Sequence, residues 1–525
     1  MYLYNAKITT LDARQPAAGA LLIRDGRVTR LDAEAQPPAG EKAIDLGGQS
    51  VLPGLTDAHI HLEHYALGLQ KVDCETATRG ECLRRVAERA AVTRPGEWIL
   101  GHGWNQNNWP DGFGSATDLD SIAPRNPVYL TAKSLHAGWA NSAALRLAGI
   151  GPGTPDPAGG RLGRDASGAP DGILFESAME LVSRAVPEPG VEDVAQALRA
   201  AQHELWRMGL TGAHDFDRRR CFAALQRLHA SGELRLRVLK SLPLEDLPHA
   251  AALGLRSGFG DDWLRLGGIK MFADGALGPQ TAAMLQGYEG APENRGMLLM
   301  DSEEIFEHGR LAADSGFPIA VHAIGDRANH EVLEALDQLR VYERDHLAGD
   351  GARLRHRIEH VQLIHPDDAW RLAALGVTAS MQPLHATSDM LMADRYWGSR
   401  SATAYALKLQ QQHGANLAFG SDAPVESPNP FWGLYAAVTR RRPDGSPGPQ
   451  GWYPEQRLDL ATALHGYTRG AAYLAGWEDR LGRLAPGCYA DLIVLKDDPF
   501  GQPPDELHRL LPAATMVGGE WVFEQ

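Results

Sequence analysis

The stretch LPGLTDAHIHL, residues 52–62, ends an apolar run on two histidines placed two apart, His59 and His61. On a strand, residues i and i+2 point to the same side. Both imidazoles can therefore address one point at the strand's end. A lone His-x-His says little; its weight comes from the residues further along the chain. Seven further apolar stretches read as strands: LTGAHDF (210–216), LRLRVLKSL (234–242), LRLGGIKMFAD (264–274), PIAVHAIGD (318–326), RHRIEHVQ (355–362), VTASMQP (377–383) and NLAFGSDAP (416–424). Helical periodicity fills most of the gaps, over 191–208, 302–314, 327–339 and 366–375. Eight apolar strands alternating with helices predict an α/β fold with a parallel sheet, most simply a (β/α)8 barrel.

The ends of the chain read differently. LLIRDGRVTRLD (21–32) sets Asp25-Gly26 between two alternating runs, a hairpin signal, and TMVGGEWVFE (515–524) does the same with Gly518-Gly519. Neither end has enough strands to be stable alone. Both termini are therefore expected to pair into one composite β-sandwich, residues 1–52 and 476–525, with the barrel spanning 53–475 between them. One connection is too long. From Leu62 to Leu210 the chain far exceeds the ~30 residues of a βα unit. It carries its own strands (97–104 and 127–133), its own helix (NSAALRLAGI, 141–150) and a Gly/Pro/Asp-rich stretch (151–172). We expect an inserted subdomain over about 65–190, placed at the C-terminal face of the barrel, where barrels carry their active sites.

Composition narrows the function. With 525 residues, 44% hydrophobic and 22% charged, the chain is globular in character, and Gly 57 and Pro 33 speak for many turns. The net charge of −15, without a Lys/Arg run, disfavours nucleic acid and anionic membranes as partners. No apolar run approaches the ~18 residues of a membrane span. The start, MYLYNAK, lacks a basic segment leading into an apolar one, so no signal peptide is read. Four scattered cysteines, Cys74, Cys82, Cys221 and Cys488, form no CxxC pair and suit structural thiols in a reducing cytoplasm.

Placed on the expected strands, the polar residues converge. His59 and His61 end strand one, Lys270 lies in strand four, His322 ends strand five, His360 strand six and Asp422 strand eight. Imidazole and carboxylate donors predict a divalent metal, zinc first, with Fe, Ni or Mn compatible by ligand type. An ammonium has no lone pair and cannot ligate. A buried Lys270 can lose its proton and take up CO2 as an anionic carbamate, whose two oxygens can bridge two metals. Around this set, Asp326 and Glu359 flank ligands and can orient imidazoles. Asp274 follows Lys270 on the same rim as a substrate contact or an Asx turn. His214 and Gln382 end strands two and seven. In the insert, Trp104, Asn105, Trp109 and His136 read as pocket lining, because aromatics with polar tips suit amide or aromatic substrates.

This pattern resembles the amidohydrolase superfamily, and its wording is closer to the YtcJ-like branch that includes N-substituted formamide deformylase. The similarity runs through LPGLTDAHIHL, GHGWNQNNWPDG (101–112), HAGWANSAALRLAGI (136–150), GIKMFADGALG (268–278), VHAIGDRAN (321–329), RIEHVQ, SMQP, FGSDAPVESPNPF (419–431) and LGRLAPGCYADLIVLKDDP (481–499). It covers nearly the whole chain. The resemblance implies a (β/α)8 barrel plus a composite β-sandwich, and a centre of one or two metals. By position, His59, His61 and Asp422 would hold one metal, His322 and His360 the other, and Lys270 as carbamate would bridge them. The expected reaction is hydrolysis of a non-peptide C–N bond, in an amide or an N-acyl or N-formyl amine, by metal-activated hydroxide. Asp422 is the expected general base and then acid. Ester, lactone or phosphotriester hydrolysis at the same centre is the alternative. A catalytically silent binding or regulatory protein on this fold is the alternative of another class. The expected partner is a small-molecule amide, and a homo-oligomer is compatible with the sequence.

Overall fold

The computed structural model describes residues 1–32, 40–107, 109–134, 136–347 and 354–525. Its centre is an eight-stranded sheet in strict chain order: β1 (Leu55–Ile60), β2 (Leu210–Asp215), β3 (Arg237–Pro243), β4 (Leu264–Phe272), β5 (Ile319–Ala323), β6 (Arg357–His360), β7 (Thr378–Met381) and β8 (Leu417–Phe419). Every neighbouring pair is parallel. A parallel bridge from Ile60 to Ala423 joins the last strand's loop to β1, closing the (β/α)8 barrel. These strands are buried on both faces, as parallel strands between helices and a filled interior must be. That is why they appear in the sequence as apolar runs rather than alternations.

Register sets the site's height. Phe272 pairs with His322, His322 with Glu359 and Ala323 with His360. The C-terminal ends of β4, β5 and β6 are thus level. Gly420 follows β8, and a Cβ there would sit 2.4 Å from the His59 nitrogen, so only glycine lets the loop approach β1 this closely.

The helices follow the predicted pattern with two differences. Asp326–His346 continues well beyond residue 339. The span 366–375 is split into a 3-10 turn, Pro366–Asp368, and a helix, Arg371–Leu375. There Asp368 accepts bonds from His330 Nδ1 (3.0 Å) and Arg371 Nη1 (3.0 Å), which hold the turn separate.

Both termini build two facing sheets. One has four strands in the order Arg27–Asp32, Ala20–Arg24, Tyr2–Tyr4, Ala43–Asp45; the other has six, Glu520–Glu524, Pro512–Val517, Leu492–Leu495, Ser50–Pro53, Lys7–Thr9, Ala17–Ala18. Leu3, Leu21 and Ile23 from the first and Val51, Leu492 and Val494 from the second share one core. Asp25-Gly26 and Gly518-Gly519 turn their hairpins at positive φ, the backbone that such turns require. A buried ion pair from Arg237 of β3 to Asp491 (2.6 and 2.9 Å) ties barrel to sandwich.

The chain forms two compact units, Met1–Tyr65 with Leu198–Gln525, and Ala66–Ala197. The second has its own six-stranded sheet, in the order Gly160–Arg164, Pro170–Glu176, Ala137–Ala140, Val128–Ala132, Ile99–Trp104, Val72–Asp73. The Gly/Pro/Asp-rich stretch contributes a hairpin to it, turned where Asp165 Oδ1 accepts from the Ser167 and Ala169 amides. Among the described residues no helix is long and apolar enough to cross a membrane.

Candidate metal centre

His59 and His61 emerge on one side of β1, as alternation requires. Their Nε2 atoms both face Asp422 Oδ1, at 3.5 and 3.4 Å. Ligand atoms of these three residues lie within 4.8 Å of one another. The far edge of each ring is held. His59 Nδ1 donates to Glu359 Oε2 (2.6 Å) and His61 Nδ1 to Asp217 Oδ1 (3.0 Å). With Nδ1 carrying the proton, each Nε2 keeps its lone pair for a cation, the arrangement usual for ligating histidines.

Asp422 reaches this position through its backbone. Its amide donates to the His59 carbonyl (2.7 Å) and the His61 amide donates to the Ala423 carbonyl (2.9 Å). Asp57 fastens the same junction, accepting from the His59 amide (3.0 Å), the Ser421 amide (3.1 Å) and Ser421 Oγ (2.5 Å). Asp422 itself has φ +58° and His360 φ +74°, left-handed backbone that costs about 1–3 kcal/mol at a non-glycine residue.

Electrostatics favour a cation. Burial works against the Asp422 carboxylate, but His59, His61, His360 and His385 outweigh it and hold its pKa well below the usual range. Burial, with the Lys270 charge, pulls His59 down to about 4, so its imidazole is neutral at pH 7. His61 behaves oppositely: burial opposes its charge, yet Asp217 and Asp422 raise it to about 9. A cation displacing that proton would find two imidazoles and a carboxylate, a donor set that fits zinc and its neighbours.

Lys270 lies inside the barrel on β4, buried, with Nζ 4.5 Å from the Phe216 ring centroid and 5.1 Å from that of Phe272. Burial lowers its pKa to about 8, which makes the neutral amine accessible near neutrality. His360 ends β6 with its ring 5.1 Å from His59 and 4.7 Å from His322. Its Nδ1 donates to Gln382 Oε1 (2.8 Å), which gives Gln382 the orienting role that Glu359 has for His59.

Other expected positions make other contacts. His322 Nε2 donates to the Gly275 carbonyl (2.9 Å), and His322 joins none of the converging donor groups among the described residues. The Asp274 carboxylate is engaged by backbone, accepting from the amides of Ile324 (3.0 Å), Gly325 (2.8 Å) and Ala283 (2.9 Å). Among the described residues Asp326 makes no hydrogen bond to an imidazole; it accepts from the Leu285 amide (2.8 Å) at the start of its helix. His214 is buried and receives Arg357 Nη1 at Nδ1 (3.0 Å), which links it through Glu359 to His59.

In the second unit, Trp104 and Trp109 pack in its core rather than lining a pocket, with ring centroids 6.0 Å apart. Their indoles donate to the Leu130 and Thr76 carbonyls. Asn105 Oδ1 accepts from the Asn107 amide (3.1 Å), a local turn. His136 is exposed and pairs with Glu176 (2.9 Å).

The structure adds residues that sequence reasoning did not single out: Asp57, His64, Asp217, Arg357 and His385. Asp217 is buried two residues beyond β2. It accepts from His61 Nδ1, from His64 Nδ1 (2.6 Å) and from the Glu63 amide (2.5 Å). Its carbonyl accepts from Lys240, which also pairs with Asp215 (2.8 Å). The only hint was HDFD (214–217) at a strand end, which reads equally as a turn. Removing such a holder typically weakens metal affinity 10–100-fold. Asp217→Ala should therefore weaken divalent-cation binding by about that factor in a chelator-competition titration. Unchanged affinity would show that His61 needs no holder.

Known proteins resemble this chain over nearly its whole length. A family model described as the amidohydrolase family matches residues 42–523. The protein LONG AFTER FAR-RED 3 of Arabidopsis thaliana is 34% identical, covering 99% of this chain and 91% of its own. A putative amidohydrolase, YtcJ of Bacillus subtilis, is 34% identical over 95% of this chain and 94% of its own. N-substituted formamide deformylase of Arthrobacter pascens is 28% identical over 100% and 98%. Among solved structures, an uncharacterized metal-dependent hydrolase from Pyrococcus furiosus superimposes with TM-score 0.77 at 30% identity, covering 95% of this chain and 99% of that one.

Proposed function

The chain belongs to the amidohydrolase family, and from that premise we propose that it hydrolyses a carbon–nitrogen bond other than a peptide bond, in a small amide, N-acyl or N-formyl amine. The observation that carries this reading is the trio of buried His59 and half-buried His61 and Asp422, with each imidazole's far nitrogen held by its own carboxylate. Similarity to N-substituted formamide deformylase supports the N-formyl amine as the first substrate class to try.

A divalent cation bound by the trio, zinc first, would polarise the substrate carbonyl and acidify the attacking water. The rest is the work of the chain. Asp422 takes the proton of the attacking water as its oxygen bonds to the carbonyl carbon. It then passes that proton to the nitrogen as the C–N bond breaks, leaving an acid and an amine. Glu359 and Asp217 keep the His59 and His61 rings aimed. Phe272 is partly exposed and its ring lies 5.3 Å from His322, an apolar surface for the substrate's side group. Lys270, with its lowered pKa, is the position for a carbamate.

Purified chain assayed on paired amide and ester isosteres, with and without chelator, tests this. We expect amide turnover that chelator abolishes and zinc restores. Preferential ester, lactone or phosphotriester turnover would move the reading to those bonds, and metal uptake without any hydrolysis would favour a regulatory protein. A related exoenzymes regulatory protein, AepA of Pectobacterium carotovorum, is 28% identical over 71% of this chain. If Lys270 is carbamylated, stripping CO2 from the reconstitution buffer should slow recovery of activity, and added bicarbonate should restore it. Recovery indifferent to CO2 would contradict the carbamate.

A further inference from the structure

A cleft of ≈ 750 Å³ opens at the other end of β8 from Asp422. Leu417, the first residue of that strand, lines it, so the cleft lies at the N-terminal end of the barrel, away from the mouth. Its size falls in the range of small-molecule sites, about 300–1,000 Å³. Its walls are mostly apolar, with Leu11, Pro16, Leu417 and Phe500 among them, and Phe500 is 44% exposed. The wall from the sandwich is held by its own hydrogen bonds. The Thr10 amide donates to the Pro16 carbonyl (3.1 Å), and Thr10 Oγ1 accepts from the Asp12 amide (3.1 Å).

Into this cleft the chain brings one cation, Arg469. It is half-buried, and its guanidinium makes no hydrogen bond or ion pair with the described residues. Its neighbours do not neutralise it. Burial and the Arg469 charge lower the His465 pKa, so that imidazole is uncharged at pH 7. Asp12 is the one carboxylate among the described lining residues, and it already has a partner. Arg14 holds it through Nε (3.2 Å) and Nη2 (2.9 Å) and keeps its pKa down to about 2. Arg469 stands on a π-helical turn, Gly466–Gly470, between the helices Leu460–His465 and Ala471–Ala475. A Cβ at Gly466 would collide with the Phe419 ring, and one at Gly470 with the Leu417 carbonyl, so the turn lies directly on β8. Such turns are rare and occur often at functional sites.

We infer that this cleft binds a small organic acid, its carboxylate paired with Arg469 and its apolar body covering Leu11, Pro16, Leu417 and Phe500. A guanidinium presents its N–H groups in a planar fork that matches a carboxylate with two parallel bonds. An inorganic anion would meet the charge and leave the apolar walls in water. A neutral apolar molecule would cover the walls and leave the guanidinium unmatched. The cleft shares no residue with the metal centre, so the inference stands apart from the proposed hydrolysis.

The test is calorimetric titration of the full chain with 4-phenylbutyrate, 4-phenylbutyramide and acetate, each with and without chelator. 4-Phenylbutyrate should fill one saturable site, and that site should persist in chelator. The amide, which lacks the charge, and acetate, which lacks the apolar body, should each bind about tenfold more weakly or worse. 4-Phenylbutyrate should lose about the same factor on Arg469→Gln, the worth of a hydrogen bond to a charged group. Arg469 gives up no bond in that variant, so its thermal melting should match wild type. Should the variant fail to fold, the amide and acetate arms decide the matter on wild type alone. Absence of saturable binding, equal affinity for acid and amide, equal affinity for acid and acetate, or undiminished binding by folded Arg469→Gln would each overturn the site. Binding that chelator abolishes would put the acid on a cation at the barrel mouth, and would overturn it too.

Discussion

Replacing Asp422 by Asn is expected to lower kcat by about 10²–10⁴-fold, the usual contribution of a positioned acid–base group, while much of the metal stays bound. The side chain keeps its size and one carbonyl oxygen that can still face His59 and His61. Asn also tolerates the left-handed backbone at φ +58°, so the loop that follows β8 and bridges to β1 should persist. What Asn lacks is the ability to take a proton from water and deliver it to the departing nitrogen. Activity and metal content must be measured on the same preparation. A variant with wild-type kcat would remove Asp422 from proton transfer. Activity falling only in proportion to lost metal would reduce it to a ligand.

Replacing Arg357 by Met should destabilise the metal-free chain by about 3–5 kcal/mol, the range for breaking a buried ion pair from one side. Arg357 is 5% exposed and Glu359 fully buried. The guanidinium donates to Glu359 Oε2 (2.9 Å), the Ala58 carbonyl (2.5 Å), Ser380 Oγ (2.6 Å) and His214 Nδ1 (3.0 Å). It joins β6 to β1, β2 and β7. Without it, Glu359 would have to neutralise, because burial opposes its charge and Arg357 is the largest influence holding its pKa down. His59 would then lose the anion that fixes its ring. The double variant Arg357→Met/Glu359→Gln should recover part of the loss, since it removes the stranded charge. The readout is the free energy of unfolding in urea. A loss below about 1 kcal/mol would show that the pair is not the buried support its contacts suggest.

The two cases show what a sequence can and cannot reveal here. The eight barrel strands were legible because parallel strands buried on both faces must be apolar runs. His59, His61, Lys270, His360 and Asp422 were legible because each interrupts such a run near its C-terminal end. Glu359 and Gln382 could be suspected because each sits next to a ligand or at a strand end. Arg357 could not. Its partners Ala58 and His214 lie 299 and 143 residues away in the chain, and nothing local distinguishes it from Arg355.

Asp217 and His385 were hidden for another reason. Asp217 stands in the loop just past β2 and His385 in a single short helix just past β7, segments too short for periodicity to fix which way a side chain points. Asp274 shows the same limit at another loop. Its position after Lys270 suggested a substrate contact or an Asx turn, and the structure shows three amides from distant residues meeting its carboxylate. Trp104 and Trp109 likewise advertised a pocket, while the indole N–H groups satisfied by backbone carbonyls mark them as core. His322 sits on the expected strand and at the expected level. Only the tertiary contact with Gly275 shows that one of its nitrogens is committed elsewhere.

The claim on which the rest depends is that His59, His61 and Asp422 hold a cation at the mouth of the barrel. Anomalous scattering at the zinc edge from crystals grown with zinc would address it most directly. A strong peak is expected within about 2.0–2.2 Å of both Nε2 atoms and an Asp422 carboxylate oxygen. A map with no peak there, at full zinc occupancy of the solution, would contradict it.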